Sequence, residues 1–141
     1  MRFTANLAKV KHQYFDNIKI GSIEYLQDLD REIAVFKHHI DWKDMWDIKE
    51  AERRLLNNWK VLFFIPENII KGWYWLDVSN NETFNLYINP DYRNNGWGLK
   101  MHKAINQLSI DLGLTYLHCY IDDWNISSQN LIMESGWKIE E

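Results

Sequence analysis

Cysteine is almost absent from this 141-residue chain: Cys119 is the one thiol, so no disulfide can form within it. That points to a reducing, cytoplasmic setting. Proline occurs twice, at Pro66 and Pro90, and glycine six times, so two glycines as close as Gly96 and Gly98 stand out. No apolar run approaches the ~20 residues of a membrane-spanning helix, and the N-terminus carries no signal-like apolar stretch, so no membrane partner is expected. Basic residues are not in excess: 16 Lys and Arg against 20 Asp and Glu leave a net charge of −4, which argues against a nucleic-acid surface. The histidines at 12, 38, 39, 102 and 118 lack metal-ligand spacing, and no metal site is expected. There is no repeat, linker or low-complexity tract, so residues 1–141 read as a single domain.

What the chain does have is aromatic mass, with eight tryptophans, seven tyrosines and six phenylalanines in an apolar fraction of 46%. That is enough to build a substantial core. Short strand character is expected near Phe3 and at Ile18–Ile20. Ile23, Leu26, Leu29, Ile33, Val35 and Phe36 fall at helical spacing, and a second helix is expected from Asp44 or Asp47 through Ala51, Leu55 and Leu56 to about Asn58. Then the period changes. Lys60–Ile65, Ile69–Val78 and Thr83–Ile88 read as three strands joined by short turns, an antiparallel meander with Trp73 and Trp75 on one face and Tyr74 and Leu76 on the other.

The segment from Tyr87 to Leu99 reads as a strand ending at Pro90, a turn holding Gly96 and Gly98, and the start of a helix carrying Met101, Ile105, Leu108 and Leu112 on one face. Gly113 stands where a helix-terminating glycine belongs. A glycine turn at a helix N-terminus presents unpaired N–H groups and the positive dipole end to a phosphate. A Walker A loop is excluded, because Gly98 is followed by Leu99-Lys100-Met101. A dinucleotide fingerprint fails as well, because Met101 stands at its third glycine position. Leu114–Ile121 reads as a strand parallel to 83–88 through a helical crossover, and Asn125 or Ser127 as the cap of a short helix ending near Ser135-Gly136.

A meander, a strand–turn–helix–strand unit with Arg93-x-x-Gly96-x-Gly98 at its turn, then Asn125, Ser128, Leu131 and Gly136-Trp137, resembles the GNAT superfamily of N-acetyltransferases. The strong part covers about residues 84–137. The resemblance implies an α/β fold with a mixed, mostly antiparallel sheet, helices on both faces and C-terminal strands truncated after Lys138–Glu141. It also implies an enzyme that transfers an acetyl group from acetyl-CoA to a primary amine, on a small molecule or a peptide, by direct attack in a ternary complex. The pyrophosphate would be held by Arg93, Asn94, Asn95, Gly96, Trp97 and Gly98. The pantetheine would lie between splayed strands, with Asn125 and Ser128 beside it, and the thioester carbonyl would be polarised by a backbone N–H of Leu86, Tyr87 or Ile88. Glu82 matches the family's general base.

Two departures follow from the same resemblance. The tyrosine that often protonates the thiolate is replaced by Ile132, which leaves Tyr120, Tyr116 or water to serve. The short tail leaves a sheet edge bare on this reading, which makes strand-mediated pairing into a homodimer an expectation. The alternative function is a catalytically silent CoA-binding or interaction module on the same scaffold. Trp42, Trp46, Trp73 and Trp75 read either as core or as an aromatic acceptor pocket, and Asp41, Asp44, Asp47 and Glu50 as a solvated face or an attraction for a cationic amine. His118 and Cys119 are strand neighbours on opposite faces and form no dyad.

Overall fold

The computed structural model describes residues 1–23, 26 and 48–140. The helix expected over 22–39, Trp42, Trp46 and the acidic residues 41, 44 and 47 lie outside them, apart from residues 22, 23 and 26. The described elements are β1 (Arg2–Asn6), β2 (Ile18–Ile20), α1 (Ile48–Leu56), β3 (Trp59–Phe64), β4 (Gly72–Asp77), β5 (Glu82–Ile88), α2 (Trp97–Asp111), β6 (Tyr116–Tyr120), α3 (Ile126–Glu134) and β7 (Lys138–Ile139).

The seven strands form one sheet in the order β2-β3-β4-β5-β6-β1-β7. From β2 to β5 the neighbours are antiparallel, as a meander requires. The crossover through α2 makes β5 and β6 parallel, and they pair at one register position, Glu82 opposite His118. Beyond it the two strands part. The edge of β6 that the sequence leaves bare is covered: β1 pairs with it antiparallel from Arg2–Tyr120 to Asn6–Tyr116, and β7 pairs with the far side of β1. A strand from the start of the chain therefore lies between the last two, and the short tail costs the sheet no central member.

Strand alternation sorts the aromatics into two layers. Leu62, Phe64, Tyr74, Leu76, Leu117 and Cys119 pack with Met101, Ala104, Ile105 and Leu108 of α2, with Ile132 of α3 and with Trp137. On the other face Val61, Phe63, Trp73, Trp75 and Tyr87 pack with Ala51 of α1. Trp73 and Trp75 are therefore core, and the Arg54 guanidinium of α1 sits 5.0 Å over the Trp75 ring. Each large apolar side chain buried this way stabilises the fold by roughly 1.5–3 kcal/mol. Leu112, expected on the buried stripe of α2, is the residue just past its last turn and is 39% exposed.

Polar groups inside the first layer are tied together. The Tyr74 hydroxyl lies 2.8 Å from Thr83 Oγ1 and 3.2 Å from His102 Nδ1. Burial pushes the His102 imidazole down to about 3. The unfolded chain takes up that proton first, so the contribution of neutral His102 is complete above about pH 6.5 and is lost as the pH falls toward 3. Urea midpoints are expected to show a loss of about 2 kcal/mol between pH 7 and pH 5 that His102→Leu removes. An unchanged pH slope in that variant would show that another group is responsible. Burial likewise pushes the Cys119 thiol up to about 12, which makes it inert as a nucleophile.

Candidate functional site

The site begins where β5 stops being regular. Trp75 pairs with Phe84 and Trp73 with Tyr87, so Asn85 and Leu86 together stand opposite Tyr74. Asn85 takes the left-handed conformation, φ +57°, that such a bulge needs. Past the bulge, Leu86 and Ile88 pack toward α2 and Tyr87 toward the opposite layer.

Asn89 then ends the strand: its Oδ1 accepts the Asp91 N–H at 3.0 Å and opens a single turn over Pro90–Tyr92. The Arg93 side chain folds back, donating from Nε to the Ile88 carbonyl at 2.8 Å with its guanidinium 5.6 Å over the Tyr87 ring. Asn94 and Gly96 are both left-handed, at φ +66° and +84°, and Gly96 leads directly into α2. No side chain caps this helix. Its first-turn N–H groups are thus left without a side-chain acceptor, with the positive end of a 15-residue helix behind them.

The two glycines of the turn do different work. A Cβ on Gly96 would meet nothing within 4 Å, because it would stand in the open space before the helix. A Cβ on Gly98 would come within 2.6 Å of Leu131 Cδ2, so Gly98 lets α2 and α3 pack closely. The second helix also aims its N-terminus at this place. Asn125 Oδ1 accepts the Ser128 N–H at 3.2 Å, which leaves the amide NH₂ of Asn125 outside the cap.

Together these elements enclose an open cleft of about 550 Å³, within the range of small-molecule sites. Leu86, Tyr87 and Ile88 line it from β5, Arg93, Asn94, Gly96, Trp97 and Gly98 from the turn, and Asn125 and Ser128 from α3. Asn95 does not line it; its Nδ2 donates to the Arg93 carbonyl at 3.3 Å and the residue is exposed. Tyr92, Trp124, Ser127 and Leu131 join the wall, none of them named from the sequence as a cofactor contact. Trp124 and Ser127 flank Asn125 closely enough to have been suspected.

The catalytic candidates lie apart from that wall. Glu82 stands where β5 and β6 pair, with Oε1 3.2 Å from His118 Nε2. His118 Nδ1 is buried and has no hydrogen-bond partner among the described residues. Sequence reasoning missed this pair, because a contact between residues 36 positions apart leaves no local mark. Tyr120 is 65% exposed on β6, its ring 5.8 Å from that of His118. Ile132 is fully buried in the core, so it could not reach a thiolate whatever its chemistry. Among the described residues no helix is long and apolar enough to cross a membrane.

No family model and no curated relative matches this sequence. Solved structures do. A protein from Novosphingobium aromaticivorans assigned to the GNAT acetyltransferase family superposes with a TM-score of 0.69 at 15% identity, over 99% of this chain and 59% of its own. An aminoglycoside acetyltransferase from an uncultured soil metagenomic sample gives 0.67 at 18% identity, over 88% of this chain and 89% of its own. A predicted acetyltransferase from Clostridium acetobutylicum, solved with acetyl-CoA, gives 0.62 at 12% identity, over 89% and 91%. The chain spans only 46% of a Drosophila protein that also shares its architecture, with a TM-score of 0.72. The class is therefore defined by architecture: this chain has the GNAT acyltransferase fold, a mixed and mostly antiparallel sheet with helices.

Proposed function

We propose that this chain is an N-acetyltransferase that moves an acetyl group from acetyl-CoA to a primary amine. One observation carries the reading: the uncapped N-terminus of α2, entered through left-handed Gly96, opens on a cleft that runs to the bulge of β5. The turn supplies the donors and dipole that two phosphates need. The cleft wall formed by Leu86–Ile88 supplies a seat for the pantetheine arm, with Asn125 also on the wall. A structural neighbour solved with acetyl-CoA supports the choice of cosubstrate.

Within that cleft a backbone N–H of Leu86, Tyr87 or Ile88 polarises the thioester carbonyl. The neutral amine attacks the carbonyl carbon, the C–N bond forms, the C–S bond breaks, and the departing CoA thiolate takes up, through water, the proton that the acylated nitrogen sheds. Glu82 accepts the ammonium proton through water, its carboxylate held by His118. The test is release of free thiol from acetyl-CoA in the presence of an amine panel: an aminoglycoside, a polyamine, a lysine peptide and a free peptide N-terminus. Steady turnover with any of them supports the reading, and a folded protein that binds no acetyl-CoA sinks it. Glu82→Gln is expected to lower kcat by roughly 10²-fold or more while leaving acetyl-CoA affinity unchanged. An unaltered kcat would remove Glu82 from the mechanism.

A second reading has its own observation. Ile132 is buried and has no proton to give, and Tyr120 is 65% exposed on β6 outside the cleft wall, so neither position expected to protonate the thiolate does so from the cleft. That favours a silent CoA-binding or interaction module, in which acetyl-CoA binds and no amine turns over.

A further inference from the structure

We infer that Trp124 is the adenine seat of this cleft, stacking its indole on the base of bound coenzyme A; the inference rests on the acetyl-CoA reading above. Trp124 is 78% exposed and also lines the cleft wall. The other described tryptophans each have a ring or cation over or beside them: Trp59 has Phe84, Trp73 has Tyr87, Trp75 has Arg54, Trp97 has Phe64 and Trp137 has His102. Trp124 has no such contact among the described residues. Trp124 thus presents an unshared indole face at the cleft wall, on which a flat ligand group can stack.

The loop beneath it is built rather than slack. The Asn125 N–H donates to the Asp122 carbonyl at 3.0 Å, and the Ile126 N–H to the Trp124 carbonyl at 3.0 Å. The side chain of Gln129, 5% exposed, donates from Nε2 to the carbonyls of both Asp122 and Asp123, at 3.0 and 3.2 Å. The backbone that carries the indole is thus held from both sides, and little ordering remains to be done when a ligand arrives.

The choice of adenine follows from how the ligand must lie. The acyl end is directed to the β5 bulge and the pyrophosphate to Gly96, so the remaining part of coenzyme A, the adenosine, continues toward the cleft mouth. An indole that is mostly in solvent belongs at that mouth. A purine offers it a flat π-face, and neither the pantetheine arm nor a phosphate does.

Three probes separate the possibilities by calorimetry: coenzyme A, adenosine 3′,5′-bisphosphate, and 4′-phosphopantetheine, which has the arm without the base. Trp124→Ala is expected to weaken the first two by about tenfold or more and to leave the third unchanged. Trp124→Phe is expected to recover most of the loss. Because the indole touches no other described ring, the Ala variant is expected to melt with the wild type, which melting curves check. Equal losses for coenzyme A and 4′-phosphopantetheine would place the indole on the arm and overturn the inference, as would no loss at all. A wild-type protein that binds none of the three overturns both the subsite and the acetyl-CoA reading. Loss of the Trp124 effect alone leaves that reading intact.

Discussion

Gly96→Glu is expected to abolish acetyl-CoA binding, by more than a hundredfold, in a protein that still folds. At φ +84° the new residue bears a left-handed penalty of about 1 kcal/mol, a fraction of the stability of a domain this size. Its Cβ meets no atom within 4 Å, so the side chain is not expelled by packing and stays over the helix N-terminus. There the carboxylate accepts from the amides that would hold the pyrophosphate, and its charge repels both phosphates. Gly113→Glu is the matched control. Gly113 has φ +83° and equally open space, but it lies at the other end of α2. It should cost similar stability and leave affinity untouched. Calorimetric titration of the two variants beside the wild type decides the matter, and Gly96→Glu binding within threefold of wild type would remove the proposed pyrophosphate site.

Gly72→Val is expected to cost about 3 kcal/mol of stability, with Tm lowered by roughly 10 °C. Gly72 begins β4 opposite Ile88 of β5 and Phe64 of β3. A Cβ there would stand 2.5 Å from the Tyr87 carbonyl oxygen and 3.0 Å from Ile88 Cδ1. The Tyr87 oxygen is backbone in a paired strand and cannot turn aside as a side-chain end can, so the strands themselves must separate. Tyr87 and Ile88 also line the cleft, so the damage reaches the site. Gly72→Ala should therefore weaken acetyl-CoA more than an equally destabilising change at a residue that does not line the cleft, such as Val61→Ala. Urea unfolding of Gly72→Val within 1 kcal/mol of wild type would show that the contact relaxes freely.

Much of the architecture is legible residue by residue. The alternation of Trp73 and Trp75 with Tyr74 and Leu76 sorts them into opposite layers, and the spacing of Met101, Ile105 and Leu108 gives the buried face of α2. Gly96 before that helix and Asn125 before the next mark both helix starts. The bulge at Asn85 was not legible, since an asparagine within Glu82–Ile88 signals nothing until Trp73 and Trp75 fix its partners. Gly98 was read with Gly96 as part of one phosphate turn. Its crowding against Leu131 belongs to a contact between residues 33 positions apart on two helices, which no local pattern records.

By itself, then, the sequence determined the elements and the turn. Strand period, helix stripe, glycine and cap residues act over a few neighbours, and their physics is complete within that span. The tertiary structure alone decided which strand lies beside which. Phe3 marks a strand, but a five-residue strand offers the same backbone donors and acceptors to any edge. It settles between β6 and β7 because that is where Phe3 and Ala5 can bury against the α2 layer while the edge of β6 is paired. The meeting of Glu82 with His118 has the same origin. Pairing across the sheet is chosen by the burial of whole layers, and only the assembled chain contains it.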